Sequence, residues 1–370
     1  MQKQLTVRQA CIIMFVLLVA NKLMLLPSII SFASSSDSWL VFIFSFFVDF
    51  VMAMVIVAVM AKLDENIFQF LERKIGRVLT IIIASIIGLI FFMKIADLFM
   101  ETFIMYNEKI YVDFSLLLYL LVIYCVIIYF GTRELRSLGR TVEILFTLIL
   151  GGLILSFFIS VGSADFSNIL PLLETGVGNI SRNAFNHIFW FADSFVMLFF
   201  VGNIKKEKGM SKKMLLSYLA TMVIVVLFVI LFISVFSNTA SFHKSCILDI
   251  GENLPRLLTE GRFNWIVYFI YPITPIFAIA IYSYCAVKCT SYATSRNLLR
   301  KKLFAVLFTL LSVSVILILT GFLWAKFYNF SSSIMPYVCV AIEVIFPIIL
   351  MIMSFVDNKK KAVKYEKKAN

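Results

Sequence analysis

From Gln9 to Ile30 the chain reads QACIIMFVLLVANKLMLLPSII, long enough to cross a bilayer as one helix, yet it holds Asn21 and Lys22 inside and Pro27 five residues further on. A helix that only anchors a protein has no use for that lysine. Even lenient insertion scales place an ionisable residue at a membrane-helix centre roughly 2.5–3.5 kcal/mol uphill. Pro27 donates no backbone hydrogen bond, so a carbonyl one turn earlier, close to Asn21 and Lys22, loses its partner. Backbone freed in this way survives at membrane depth only where protein or a watered cavity covers it. The segment reads as a broken helix facing a polar site.

Composition places that segment in a polytopic membrane protein. Of 370 residues, 62% are hydrophobic and 15% charged, and the mean hydropathy is +0.99. No polar stretch is long enough for a separate soluble domain. The net charge of +12 does not point to nucleic acid, because the basic residues fall in short loops, where the positive-inside rule accounts for them. The six cysteines, Cys11, Cys125, Cys246, Cys285, Cys289 and Cys339, form no C-x-x-C pair and read as small buried hydrophobes. With so many later spans, the first apolar run reads as a retained helix rather than a cleaved signal peptide.

Ten apolar runs follow one another, at about 9–30, 38–61, 78–105, 112–130, 139–161, 183–202, 213–236, 264–286, 303–325 and 334–356. They predict an all-α integral membrane protein, since a β-barrel would show alternating segments of about ten residues. Alternate loops, together with the two ends of the chain, hold 25 of the 33 basic residues. That asymmetry puts both termini on the cytoplasmic side. Residues 1–358 form one ten-helix domain, with a basic tail at 359–370, expected to be disordered and to rest near anionic lipid. The external loop at about 237–263 contains Pro255 and a short amphipathic piece, Ile247 to Leu258.

A second polar interruption lies in the sixth run, where Asp193 and Ser194 follow Phe191 near mid-membrane. The first and sixth runs correspond if the chain is two five-helix halves, about 9–161 and 183–356. Interruptions at matching positions of two halves point to the binding site of an inverted-repeat transporter. Asn21, Lys22 and Leu23 with Phe191, Asp193 and Ser194 are therefore the candidate ligand-binding residues. Lys22 and Asp193 either pair permanently or hold the carboxylate and amine of a zwitterion.

Further charges lie within spans. Lys94, Asp97 and Glu101 are spaced by three and four and share one face of the third helix, where Lys94 can neutralise Asp97. Asp49 and Glu343 lie near mid-span without an obvious local partner. These five are candidates for an ion or proton relay, against the plainer reading of packed ion pairs that fix helix register. Glu143, near Arg140 and Arg136, reads as part of a local helix-face pair. His187 and Trp190 read as interfacial anchors. No second histidine or cysteine stands near His187, so no metal site is expected. The chain also lacks a phosphate-binding glycine loop, a nucleophile elbow and a zinc-protease motif, so no enzyme reading and no cofactor is supported.

Three stretches together resemble the B subunits of spore germinant receptors, the GerAB-type spore permeases of the amino acid–polyamine–organocation transporter superfamily. They are TVRQACIIMFVLLVANKLMLLPSIISFASSSDSWLV with its Asp37-Ser-Trp39, the segment Gly131 to Glu143 with its spaced arginines, and Asn168 to Gly176 around Pro171. Relatives commonly have glycine where this chain has Asn21-Lys22-Leu23. In the sixth helix they often carry Pro or Gly followed by Glu, where Ala192-Asp193-Ser194 stands here, so that helix is expected to be less unwound. The resemblance implies a leucine-transporter-like fold in a spore's inner membrane, working with A and C subunits. A small nutrient, usually an amino acid, would bind between helices 1 and 6 and signal germination. A proton-coupled amino-acid transporter of the same fold, and a non-binding structural subunit of an ion-release complex, remain the alternatives.

Overall fold

Thr6 starts the first helix. Its hydroxyl accepts from the Gln9 amide at 3.2 Å, and the Gln9 carboxamide oxygen accepts from the Thr6 amide at 3.2 Å, a reciprocal cap that satisfies two otherwise orphaned donors. The computed structural model describes residues 4–110, 113, 115–252, 271, 273–294 and 298–369. Helix α1, Val7–Lys22, is buried at 14 of its 16 positions, which makes it a central helix rather than a lipid-facing one. It ends at Lys22, and α2, Leu26–Ser34, begins with Pro27 in its first turn, so the first run is broken at residues 23–25. The Met24 carbonyl left over by the break accepts from the Cys246 amide at 3.1 Å. Protein covers the freed backbone, as the hydrocarbon setting demands.

Helices α3 (Ser38–Lys62), α4 (Ile67–Ile75), α5 (Arg77–Met105), α6 (Leu116–Thr132) and α7 (Leu135–Ser160) follow. The sixth run is interrupted twice, as α8 (Val177–Asn186), α9 (Ile188–Phe191) and a 3₁₀ segment, Asp193–Phe200. Beyond it lie α10 (Met210–Phe236), α11 (Cys246–Glu252), α12 (Ile273–Thr294), α13 (Leu298–Ser333), α14 (Met335–Cys339) and α15 (Phe346–Ala369). A π segment, Val340–Ile345, joins the last two. Among the described residues six helical stretches are long and apolar enough to cross a membrane, and 116–132 and 305–318 are shorter apolar helices.

Several expectations change here. The sixth run is interrupted although residues 187–200 contain neither proline nor glycine, because a side chain captures its freed backbone: the Ser194 amide donates to Asp49 Oδ1 at 3.3 Å. The basic tail, expected to be disordered, continues α15 as far as Ala369; alanine and lysine are good helix formers. Of the amphipathic piece at Ile247 to Leu258, the part within α11 is helical, and Pro255 with the rest lies outside the described residues. Cys125 is exposed, unlike the four buried cysteines.

Asp37, just before α3, ties one side of the bundle together. Its buried carboxylate accepts from the Leu173 amide at 2.8 Å, the Thr175 amide at 2.8 Å and the Thr175 hydroxyl at 2.9 Å. Hydrogen bonds to a charged group contribute about 1.5–3 kcal/mol. Asp37→Ala is therefore expected to speed hydrogen exchange at the Leu173 and Thr175 amides by more than tenfold; unchanged protection would show that other contacts hold this loop. On the opposite side Leu5 forms a short parallel bridge with Ile204, through Leu5 N to Asn203 O and Lys205 N to Leu5 O, both 2.8 Å.

Candidate functional site

The two broken segments meet at Asp193. Its carboxylate forms an ion pair with Lys22, both side chains fully buried. Asn21 Nδ2 donates to Asp193 Oδ1 at 3.1 Å and Oδ2 at 3.0 Å, and the Tyr282 hydroxyl donates to Oδ1 at 2.5 Å. Lys94 Nζ stands 3.4 Å from the same oxygen and 3.6 Å from Glu343 Oε1. Phe191 lies under the Lys22 ammonium, 5.4 Å from nitrogen to ring centroid, a favourable placement for a cation over a ring face. One carboxylate thus receives two ammonium groups, a carboxamide and a phenol, drawn from α1, α5 and α12.

Position follows from local structure. Asn21 and Lys22 are the last two residues of α1, so the break frees their side chains to reach across to the sixth run. Asp193 opens the 3₁₀ segment immediately after Ala192, where the backbone leaves the helical region at φ −75° and ψ 48°. Eight residues is a long run for the tighter 3₁₀ geometry, which favours short stretches. Glu343 lies in the π segment, a widening of the helix that is frequent at functional sites.

Asp49 lies beside this centre. It accepts the Ser194 amide and the hydroxyl of Tyr218 on α10. Asp97 accepts from Trp190 Nε1 at 2.7 Å rather than being neutralised by Lys94. The fold overrides the helix-face pairing because Asp193 and Glu343 engage Lys94 from other elements. Glu101, one turn beyond Asp97, is buried and lines a small cavity with Asn21, Lys94, Asp97, Trp190 and Tyr282. That cavity has a volume of about 10 Å³, room for about one water molecule.

The sequence placed Asn21, Lys22, Phe191 and Asp193 together, and the structure does the same. Ser194 joins through its backbone amide, whereas Leu23 is fully buried in the break and brings no polar group to the centre. Tyr282, Tyr218 and Trp190 were missed as site residues. A tyrosine within an apolar helix carries no local signal that separates a packed ring from a carboxylate partner. Three readings are corrected. Glu143 pairs with Arg8 and accepts from Gln9 Nε2 at 3.1 Å, because the amino-terminal segment crosses α7 at that point. His187 and Trp190 are buried, at 5% and 4% exposure, and are not interfacial anchors. His187 Nδ1 lies 2.9 Å from the Asn183 carbonyl, within its own helix turn.

The sequence model of the family described as "Spore germination protein" matches residues 4–322. Among solved structures, a substrate-bound, outward-open Na⁺-coupled sialic acid symporter aligns with 87% of this chain and 75% of its own, at 12% identity and a TM-score of 0.57. A manganese transporter from Eremococcus coleocola, in complex with an aromatic bis-isothiourea substituted compound, aligns with 94% of this chain and 86% of its own, at 11% identity and a TM-score of 0.56. Identities this low show a shared transporter fold and nothing about cargo. No curated protein matches the chain in sequence. The apolar helices and the family match make this a multi-pass integral membrane protein of permease type.

Proposed function

We propose that this chain, which belongs to the spore germination protein family, is the B subunit of a germinant receptor and binds a small nutrient at the meeting point of its two broken segments. The observation that carries this reading is the fully buried Lys22–Asp193 pair, which joins the ends of both breaks. Its opposite charges match the carboxylate and ammonium groups of an amino acid. In the closed arrangement Lys22 and Asp193 satisfy each other and the adjoining cavity is only about 10 Å³. An amino acid would therefore have to separate them, its carboxylate taking Lys22 and its ammonium taking Asp193.

Such exchange couples binding to shape, because a ligand shifts an equilibrium only through its differential affinity for the two states. Roughly 5.5 kcal/mol swings a population from 1:99 to 99:1. In this reading the chain has ten spans in two inverted halves of five and lies in the spore inner membrane with both termini inside. It passes the change to A and C subunits, which release the stored ions.

The test is the germination response of spores carrying Lys22→Ala to a panel of amino acids, at matched protein level. A response shifted at least tenfold in concentration, or abolished, is expected. An unchanged dose response removes Lys22 from the site. The charge-exchanged pair, Lys22→Asp with Asp193→Lys, separates the two roles of the pair: full recovery of the nutrient response would mean that it is structural only.

A specific observation also favours the second reading, proton-coupled amino-acid transport. Two lysines, Lys22 and Lys94, share the centre with five buried carboxyl groups, of Asp49, Asp97, Glu101, Asp193 and Glu343. Buried charge in a membrane demands near-balance, so the excess carboxyls are natural proton carriers. Amino-acid uptake into liposomes by the purified protein, driven by a pH gradient, would support transport; binding without uptake would favour the receptor.

A further inference from the structure

We propose that Glu343 is a positioning residue for the nutrient's amino group: it draws Lys94 away from Asp193 when that ammonium arrives. The site then answers molecules that carry both a carboxylate and an ammonium, and a carboxylate alone does not set it. This deepens the nutrient-site reading and rests on it.

Lys94 is shared between two carboxylates. Its Nζ stands 3.4 Å from Asp193 Oδ1 and 3.6 Å from Glu343 Oε1, whereas a tight ammonium–carboxylate hydrogen bond measures about 2.7–2.9 Å. The two acceptors are unequally supplied. Asp193 already receives Lys22, Asn21 and Tyr282 on its two oxygens. Glu343 is buried, and neither of its oxygens is hydrogen-bonded among the described residues. The Cys339 thiol, a weak donor, faces it from four residues earlier. A buried acceptor left unmet costs the desolvation of that group. Lys94 thus lies between a crowded carboxylate and an undersupplied one.

An incoming amino acid resolves the inequality. Its ammonium takes Asp193, where Lys94 already lies beside Oδ1, and two ammonium groups on one oxygen repel each other. Among the described residues Glu343 is the other carboxylate within ion-pair reach of Lys94. A movement of less than about an ångström turns that contact into a hydrogen bond and clears Oδ1. Local structure permits it. Lys94 is fixed inside α5 but carries its charge on a flexible four-carbon stem. Glu343 lies in the π segment Val340–Ile345, a widened turn that can tighten. A carboxylate without an amino group competes for Lys22 alone and leaves Lys94 where it is. Removing the Glu343 charge therefore penalises the bound state more than the free one, in which Lys94 still has Asp193.

The experiment titrates the purified full chain calorimetrically with each of the common amino acids, then compares the tightest binder with the same acid lacking its amino group. Wild type should prefer the amino acid by about tenfold or more. Glu343→Gln should weaken the amino acid by about tenfold or more, the worth of one charged hydrogen bond, and leave any binding of the deaminated acid unchanged. In a Lys94→Met background, where no ammonium needs a new partner, Glu343→Gln should shift amino-acid binding by under about threefold. A structural Glu343 would weaken both compounds, and in both backgrounds. Hydrogen exchange in wild type keeps the test open if Glu343→Gln does not fold: the amino acid, and not the deaminated acid, should slow exchange across 340–345. Unchanged binding in Glu343→Gln, equal losses for both compounds, an equal loss with Lys94→Met, or an unresponsive 340–345 segment would each overturn the proposal. If Lys22→Ala weakens binding while Glu343→Gln does not, this inference fails and the nutrient site stands. If no amino acid binds wild type, both fall.

Discussion

Asp193→Ala is expected to lower the stability of the purified protein by about 3–5 kcal/mol, the usual cost of removing one partner from a buried ion pair. The substitution strands more than one group. Lys22 loses its counter-ion, Lys94 keeps Glu343 alone among the described residues, and Asn21 and Tyr282 lose the oxygens to which they donate. Each is a donor held out of water, so the loss falls on the folded state rather than on solvent contacts. The pair Lys22→Met with Asp193→Leu should recover most of that stability, because well-packed apolar replacements of buried ion pairs are commonly neutral or stabilising. Thermal unfolding in detergent reads both results. A wild-type midpoint for Asp193→Ala would mean that Asp193 is not the counter-charge of Lys22.

Gly202→Ala should be strongly damaging although it lies outside the charged centre. Gly202 turns the chain after the 3₁₀ segment with φ +73°, a conformation that costs an L side chain about 1–2 kcal/mol. There is also no room: a Cβ there would lie 2.7 Å from the carbonyl carbon of Glu65 and 2.8 Å from the amide nitrogen of Asn66. Both are backbone atoms, so relief requires the connection before α4 to move. That connection and the Leu5–Ile204 bridge close the same side of the molecule. A loss of about 2–4 kcal/mol is expected, with faster hydrogen exchange at the Leu5 and Lys205 amides. Unchanged exchange there would show that the two contacts are uncoupled.

The site was half legible in the sequence, and particular residues show why. Lys22 and Asp193 announced themselves because a charge in an apolar run is expensive wherever the chain goes. Pro27 marked the first break by removing a donor. The second break had no such mark. Residues 187–200 contain neither proline nor glycine, and their backbone opens because Asp49, on another helix, captures the Ser194 amide. Lys94 and Asp97 were read as partners from their spacing on one helix face. They part because Trp190 takes Asp97 while Asp193 and Glu343 engage Lys94. The spacing rule for helix faces describes exposed helices, where no other element competes.

By itself, then, the sequence determined the setting, the helical class, the first break and the two residues that had to find each other. Apolar length and the cost of bare charge in hydrocarbon decide those matters locally, residue by residue. Only the tertiary structure decided the partners: Tyr282 on Asp193, Tyr218 on Asp49, Trp190 on Asp97, and Cys246 on the Met24 carbonyl left free by the first break. Each joins positions at least 89 residues apart in the chain. Buried donors and acceptors must be satisfied, but the requirement names only the kind of atom needed, and helix packing supplies the residue.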